Sequence, residues 1–354
     1  MLFRVIDKNE VPSLVRGFAA HYEVVGPVER NGGFAFDEVG SDPSRLRVDY
    51  DTTLLPPKKY LFPPKAELFT YDTVNNEVKD IDIPVVPRVL FGLHSCDINA
   101  INRLDAVFMA SDFPDPYYRA QREATMIVGI DCTPNDHCFC NLWGTDEVTQ
   151  GYDLFLHDLG DRYLVSILSV TAAEILAVAT SARPASPKDS IDFQEKARAF
   201  KNSFSSGPAV YELPILMDAF YNDGLWDELG DRCLSCTACS MVCPTCYCFN
   251  MVDKLDAGGR SGARLRLWDS CCSPSFALVA GGHNFRPTAA SRVRNRFYHK
   301  FLGYLSKYGN TLCTGCGRCE RACKAHISPR VVIQGLQHKA VQSDAAAQGE
   351  GGRS

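Results

Sequence analysis

The chain has 354 residues, a net charge of −5 and a hydrophobic fraction of 45%. This length allows two domains with cores of their own, and the negative charge argues against a nucleic-acid binder. The most apolar run, from Leu164 to Ala179, is interrupted by Glu174 and falls short of the roughly 18 apolar residues of a membrane span. Since the first residues lack the order of a secretory signal, we expect a cytoplasmic protein without a membrane span.

The first half of the sequence predicts a mixed α/β domain over residues 1–182. Helical patterns cover residues 11–22, 97–110 and 171–181, and short β-rich runs lie between them. A hairpin is indicated where residues 152–157 and 163–168 flank the turn Asp158-Leu159-Gly160-Asp161. A segment rich in Ala, Pro and Ser marks the end of this domain.

The second half predicts a mainly helical structure, because little period-2 alternation lies between its cysteines. We expect a linker or helix over residues 183–208, an α-helical ferredoxin-like domain over 209–341 and a disordered tail over 342–354. The fold class is therefore α+β.

Two cysteine runs share the spacing C-x2-C-x2-C-x3-C. In this bacterial-type pattern three thiolates hold one [4Fe–4S] cluster and the fourth reaches the other cluster. The pattern assigns one cluster (cluster 1) to Cys233, Cys236, Cys239 and Cys323, and another (cluster 2) to Cys243, Cys313, Cys316 and Cys319. Zinc is the alternative, but structural zinc sites pair two C-x2-C knuckles and do not need a triple repeat. In the second run Lys324 follows the last cysteine, Cys323, at the position where this pattern commonly has a proline.

Eight further cysteines fall into two groups. The first half contains Cys96, Cys132, Cys138 and Cys140, which suit a third iron–sulfur centre or a zinc site, or are buried core thiols. The second group follows the first run and comprises Cys246, Cys248, Cys271 and Cys272. These four are candidates for metal binding, thiol redox chemistry or packing, and for the vicinal pair Cys271-Cys272 we favour packing.

Basic residues are concentrated between positions 260 and 307, where nine of them accompany a single acid, Asp269. Cationic side chains near anionic clusters raise the reduction potential, and a basic face also suits an acidic partner. The sequence has neither the G-x-G-x-x-G motif nor a P-loop. A chain with two clusters and no visible site for hydride or substrate predicts an electron relay between partner subunits.

Several local motifs carry a resemblance to a known family. They are Cys96-Asp97, Asp115-Pro116-Tyr117-Tyr118, Cys138-Phe139-Cys140, Cys243-Pro244-Thr245-Cys246-Tyr247-Cys248, Trp268-Asp269-Ser270-Cys271, Gly281-Gly282-His283-Asn284 and Cys316-Gly317-Arg318-Cys319. With the cluster runs, they resemble the iron–sulfur beta subunit of sulfhydrogenase-type [NiFe] hydrogenases, which is similar to the 4Fe-4S dicluster component of anaerobic sulfite reductase.

The resemblance implies an electron-transfer subunit of a multi-subunit cytoplasmic oxidoreductase. It would relay single electrons between a subunit that binds FAD and NAD(P)H and a catalytic hydrogenase or sulfur or sulfite reductase subunit, with ferredoxin as a further partner. No catalytic residue is expected in this chain. The alternative is a thiol or sulfur reductase subunit similar to heterodisulfide reductases, with a cysteine-rich active site of its own.

Overall fold

The computed structural model describes residues 2–80 and 83–350. Its strands are β1 (Leu2–Asp7), β2 (Glu23–Arg30), β3 (Gly33–Glu38), β4 (Lys65–Asp72), β5 (Glu77–Asp80), β6 (Arg88–Leu93), β7 (Thr125–Ile130), β8 (Leu154–Asp158), β9 (Arg162–Ile167), β10 (Arg183–Pro184), β11 (Phe249–Leu255) and β12 (Ser261–Trp268). The predicted hairpin is confirmed, since β8 and β9 pair in antiparallel register with Leu154 opposite Ile167.

The helices divide between the two halves of the chain. They are α1 (Val11–Ala19), α2 (Ser95–Phe108), α3 (Pro116–Glu123), α4 (Val170–Ala179), α5 (Pro187–Asn202), α6 (Leu213–Ala219), α7 (Leu225–Arg232), α8 (Ala238–Met241), α9 (Ala289–Tyr298), α10 (Tyr304–Tyr308), α11 (Arg318–Ala322) and α12 (Pro329–Glu350). The three helices predicted in the first half are present as α1, α2 and α4. None of the described helices combines the length and the apolar character that crossing a bilayer requires.

A mixed sheet forms the centre of the first half. Its strands lie in the order β10-β1-β9-β8-β7-β6-β2-β3, and the neighbours from β8 to β2 are parallel. The central strand β6 is buried along its whole length, as expected for a strand covered on both faces. Helices α1 and α4 cover one face of the sheet, and α2 and α3 cover the other.

A second sheet joins the two halves of the chain. It has the order β11-β12-β4-β5, so a hairpin from residues 249–268 pairs with strands from residues 65–80. The α+β fold class is confirmed, but the expectation of little strand-like alternation between the cysteine runs is wrong for residues 249–268. The alternation Arg264-Leu265-Arg266-Leu267 has the period of a strand, and the turn from Asp256 to Arg260 reverses the chain. The domain boundary at residue 182 stays a prediction.

The second half packs its helices around one apolar core. Buried side chains of α6, α7, α9 and α12 meet there, among them Trp226, Phe297 and Val332, together with Phe301 of the segment that follows α9. A π-helical turn, His299–Gly303, links α9 to α10. The last helix, α12, extends to Glu350, and the disordered tail expected over residues 342–354 stays a prediction. The rest of that tail, 351–354, lies outside the described residues.

Candidate iron–sulfur centres

The two cysteine runs fold into the same backbone structure. In the first run Ser235 and Thr237 have φ angles of 51° and 63°, and in the second Gly315 and Gly317 occupy the matching positions with φ angles of 63° and 72°. Each left-handed residue turns the chain between successive cysteines, and a short helix follows, α8 in the first run and α11 in the second. These helices pack against each other, so the sequence repeat is also a structural repeat.

The four cysteines predicted for cluster 1 line one cavity. Cys233, at the end of α7, and Cys323, at the end of α11, reach it from the two runs, together with Cys236 and Cys239. Apolar side chains and two cationic residues complete the wall, including Val293, Phe297, Arg296 and Lys324. The structure therefore brings the last cysteine of the second run together with the first three of the first run.

The cysteines predicted for cluster 2 also lie together, and deeper in the protein. Cys243, Cys313 and Cys319 are all buried. Burial raises the pKa of the Cys319 thiol, and the nearby thiols of Cys243, Cys313 and Cys316 raise it further. The backbone N–H of Gly315 donates to Cys313 Sγ at 3.4 Å. Such N–H donors stabilise negative charge on sulfur, which suits thiolate ligands.

The topology of the large sheet assembles the cysteines of the first half. Cys96 lies in the first turn of α2, directly after β6, and Cys132 follows the neighbouring parallel strand β7. Cys138 and Cys140 lie in the loop that continues from Cys132. Because parallel strands end at the same edge of a sheet, residues distant in sequence meet there. Burial raises the pKa of Cys140, and the adjacent thiols of Cys132 and Cys138 raise it further, so the structure brings at least these three together.

This first-half group, Cys96, Cys132, Cys138 and Cys140, lies directly against the cluster 2 run. The N–H of Phe139 donates to the carbonyl oxygen of Gly315 at 2.8 Å, and Thr145 Oγ1 donates to the carbonyl oxygen of Thr314 at 2.8 Å. A Cβ at Gly315 would lie 2.5 Å from the backbone of Cys140. Only glycine therefore permits this approach, which places the first-half group beside cluster 2.

A buried ion pair fastens these two sites together. Arg318, between Cys316 and Cys319, donates to both carboxylate oxygens of Asp97 at 2.6 Å and 2.7 Å, and its Nε donates to the carbonyl oxygen of Thr53 at 2.9 Å. Both side chains are almost completely buried, at 2% and 0% exposure. Two-point pairing of this kind fixes geometry, so the helix that carries Cys96 is held in register with the loop of cluster 2.

The remaining four thiols, Cys246, Cys248, Cys271 and Cys272, lie between the two ferredoxin-type sites. The thiol of Cys271 contacts those of Cys248 and Cys272. Cys272 also contacts Cys239 and lines the cavity of cluster 1, whereas Cys246 contacts Cys243 of cluster 2. These cysteines therefore connect the ends of the β11–β12 hairpin to both cysteine runs.

Three buried cations surround the cysteines of the second half. Lys58, Arg296 and Lys300 are 3%, 4% and 2% exposed. Lys300 Nζ donates to Cys243 Sγ at 3.3 Å, and Lys58 Nζ donates to the carbonyl oxygen of Cys246 at 2.5 Å. Burial alone lowers the pKa of Lys300, but the sulfurs of Cys243 and Cys246 raise it above its ordinary value, so Lys300 stays charged. Buried cations need negative partners, and here those partners are sulfur atoms.

These observations test whether the site fits iron–sulfur clusters. The donor set is thiol only, the walls are apolar, and the buried cations match the negative charge of thiolate-bound clusters. Within residues 2–80 and 83–350, no three His, Cys, Asp or Glu side chains converge closely enough to hold a single metal ion. The thiol donors and the buried cations fit thiolate-bound iron–sulfur clusters.

Comparison with known proteins agrees with this geometry. A family model described as a 4Fe-4S dicluster domain matches residues 232–327. Sulfhydrogenase 2 subunit beta of Pyrococcus furiosus is 39% identical over 309 residues, which cover 86% of this chain and 89% of the relative. The chain belongs to the family of sulfhydrogenase iron–sulfur beta subunits. The resemblance seen in the motifs is confirmed, and no solved structure matches.

Several features of this beta subunit were not foreseen from its sequence. Of the basic residues between 260 and 307, Arg296 and Lys300 face the cysteines, whereas Arg264 pairs with Asp253 on the surface. Lys58 comes from the first half and had no sequence signal at all, because it lies 188 residues from Cys246. The π-helical turn that contains Lys300 is the kind of local irregularity that often occurs at functional sites.

Proposed function

We propose that this iron–sulfur beta subunit relays single electrons within a cytoplasmic multi-subunit oxidoreductase. One partner would bind FAD and NAD(P)H, and the other would be a catalytic hydrogenase or a sulfur or sulfite reductase subunit. The observation that carries the proposal is the pair of matching loop–helix runs, whose eight cysteines lie in two adjoining groups beside buried cations.

The residues of the chain set the conditions for one-electron chemistry. When bound, [4Fe–4S] clusters supply one-electron oxidation and reduction at potentials that the surroundings tune. Cys233, Cys236, Cys239 and Cys323 would hold one cluster, and Cys243, Cys313, Cys316 and Cys319 the other. Arg296 and Lys300 would stabilise the added negative charge, and apolar side chains line the cluster 1 cavity.

We also propose that Cys96, Cys132, Cys138 and Cys140 hold a third iron–sulfur centre. Support comes from their assembly at the end of the parallel strands and from the contact of Phe139 with Gly315, which places them beside cluster 2. The first half of the chain would then belong to the electron path and would not serve only as a scaffold.

The alternative of a thiol or sulfur reductase meets an obstacle in the structure. Its reactive sulfurs would include Cys271 and Cys272, which are only 5% and 3% exposed. A sulfur substrate would have to reach them through the packed protein. The relay therefore explains the burial of these thiols better.

The test is anaerobic purification followed by iron and sulfide analysis and by EPR of the dithionite-reduced chain. We expect at least about eight irons per chain, reversible one-electron reduction and no oxidation of NAD(P)H by the isolated chain. The variant Cys132→Ser should lose about four irons and keep the EPR signals of clusters 1 and 2. NAD(P)H turnover by the chain alone, or clusters that dithionite cannot reduce, would overturn the relay.

A further inference from the structure

The second-half hairpin assembles a cysteine group that the two ferredoxin-type runs do not use. Cys246 and Cys248 precede β11, and Cys271 and Cys272 follow β12. Since Phe249 pairs with Trp268, the hairpin brings its two ends together, and the N–H of Asp269 donates to the carbonyl oxygen of Cys248 at 3.0 Å. The fold thus joins two cysteine pairs that are separated by more than twenty residues.

The four thiols occupy a buried position between the other two sites. Cys246, Cys271 and Cys272 are 9%, 5% and 3% exposed, and Cys248 is half-buried. The thiol contacts link Cys248 to Cys271 and Cys271 to Cys272 within the group. Two more contacts leave the group, from Cys272 to Cys239 and from Cys246 to Cys243. The group therefore touches a predicted ligand of cluster 1 and one of cluster 2.

Buried cationic side chains lie beside these four thiols, and protonated thiols carry no negative charge that could balance them. Lys58, Arg296 and Lys300 are all at least nine-tenths buried and lie close to this group. In the part of the chain that the structure describes, none of the three forms an ion pair with a carboxylate, and Arg296 Nε has no hydrogen-bond partner. Buried cations without a counter-charge are costly, so an anionic group among the sulfurs would stabilise the fold.

Hydrogen bonds hold the buried backbone around the vicinal pair, Cys271 and Cys272, in one conformation. Ser270, completely buried, accepts a hydrogen bond from the N–H of Cys272 at 3.1 Å and donates to Ser240 Oγ at 2.7 Å. Ser240 belongs to α8, the short helix of the cluster 1 run. The pair is thus held rigidly against cluster 1, as ligands of a metal centre need to be.

We propose that Cys246, Cys248, Cys271 and Cys272 ligate a further iron–sulfur cluster that lies between clusters 1 and 2. On ligation each thiol releases its proton and its sulfur donates a lone pair to iron, so no external oxidant or reductant is needed. The thiolate-bound cluster adds negative charge beside Lys58, whose Nζ donates to the carbonyl oxygen of Cys246, and beside Arg296 and Lys300, which also face clusters 1 and 2. The proposal adds a centre to the proposed function and does not depend on the centre of the first half.

The first test compares Cys271→Ser and Cys248→Ser with the wild type under anaerobic conditions, using Met251→Ser on the exposed part of the same hairpin as the control. Iron and sulfide should fall together, by about two or about four of each, in both cysteine variants and not in the control. The EPR signals of the other clusters should persist. Unchanged iron, or loss of zinc in place of iron, would overturn the proposal.

A second test leaves the four proposed ligands unchanged. Its result therefore does not depend on whether the variants of those ligands fold. Cys132→Ser lies in the first half and removes only the centre proposed there. Native mass spectrometry of that variant should show clearly more than about eight irons, because clusters 1 and 2 account for no more than that number. A count of eight overturns the further cluster but leaves the relay intact, whereas a wild-type count well below eight overturns the relay itself.

Discussion

Lys300 should control the reduction potential of cluster 2. Its Nζ lies 3.3 Å from Cys243 Sγ in a buried site, where charge is poorly screened. At this distance and an effective dielectric constant of about 20, two unit charges interact by about 5 kcal/mol. Because the added electron spreads over a whole cluster, we take roughly half of this value, which corresponds to about 100 mV for one electron.

The perturbation is Lys300→Met, which keeps the length of the side chain and removes its charge. Removing a cation makes reduction harder, so the midpoint potential of cluster 2 should fall by about 100 mV. An anaerobic redox titration followed by EPR measures this shift. Iron analysis of the same sample shows whether the cluster content is unchanged.

Lys307→Gln is the matched control, because Lys307 follows in the same helical segment but is exposed to solvent. Its removal should shift the potential by less than about 20 mV, as expected for a screened charge. If Lys300→Met shifts the potential no more than Lys307→Gln, or shifts it upward, the reasoning from buried charge is wrong.

Two further predictions concern the contact between the first half and the cluster 2 run. Asp97→Asn leaves Arg318 buried without its counter-charge and should lower the free energy of unfolding by about 3–5 kcal/mol, measured by anaerobic denaturation, whereas Arg321→Gln, which breaks the exposed pair with Asp51, should have a much smaller effect. Gly315→Ala should lower the melting temperature and the iron content more than Gly309→Ala, because both glycines have positive φ but only Gly315 faces a backbone 2.5 Å away; equal effects would show that the close approach is unimportant.

The sequence predicted the cluster runs because their chemistry is local. Fixed spacing places three thiolates on one turn, and the fourth cysteine of each run follows a short helix, so Cys323 and Cys243 could be assigned without knowledge of the fold. The β8–β9 hairpin was equally local, since its turn residues separate two alternating strands. Patterns of this kind can be read from neighbouring residues alone.

The features that sequence reasoning missed depend on contacts between distant segments. The segment that forms the β11–β12 hairpin is predicted to be mainly helical, because the alternation at residues 264–267 is short and little other alternation lies between the cysteine runs. Arg318 and Asp97 are 221 residues apart, and neither residue alone indicates a buried pair. Nothing in the sequence around Lys58 marks it as a neighbour of Cys246. The neighbours of these residues are determined by packing between segments that are distant in the sequence.

The proposed sites follow one another in a single order through the protein. The first-half group touches the cluster 2 run at Gly315, cluster 2 touches the further group where Cys243 contacts Cys246, and that group touches cluster 1 where Cys272 contacts Cys239. Lys58 and Lys300 lie near the middle of this order, and Arg296 lies between the middle and cluster 1, so the centres in the middle should have the highest potentials. Cys236 of cluster 1 is exposed, which leaves that end open to a partner. Electrons that enter at either end would therefore collect in the middle, and the potential of the acceptor would decide the end at which they leave.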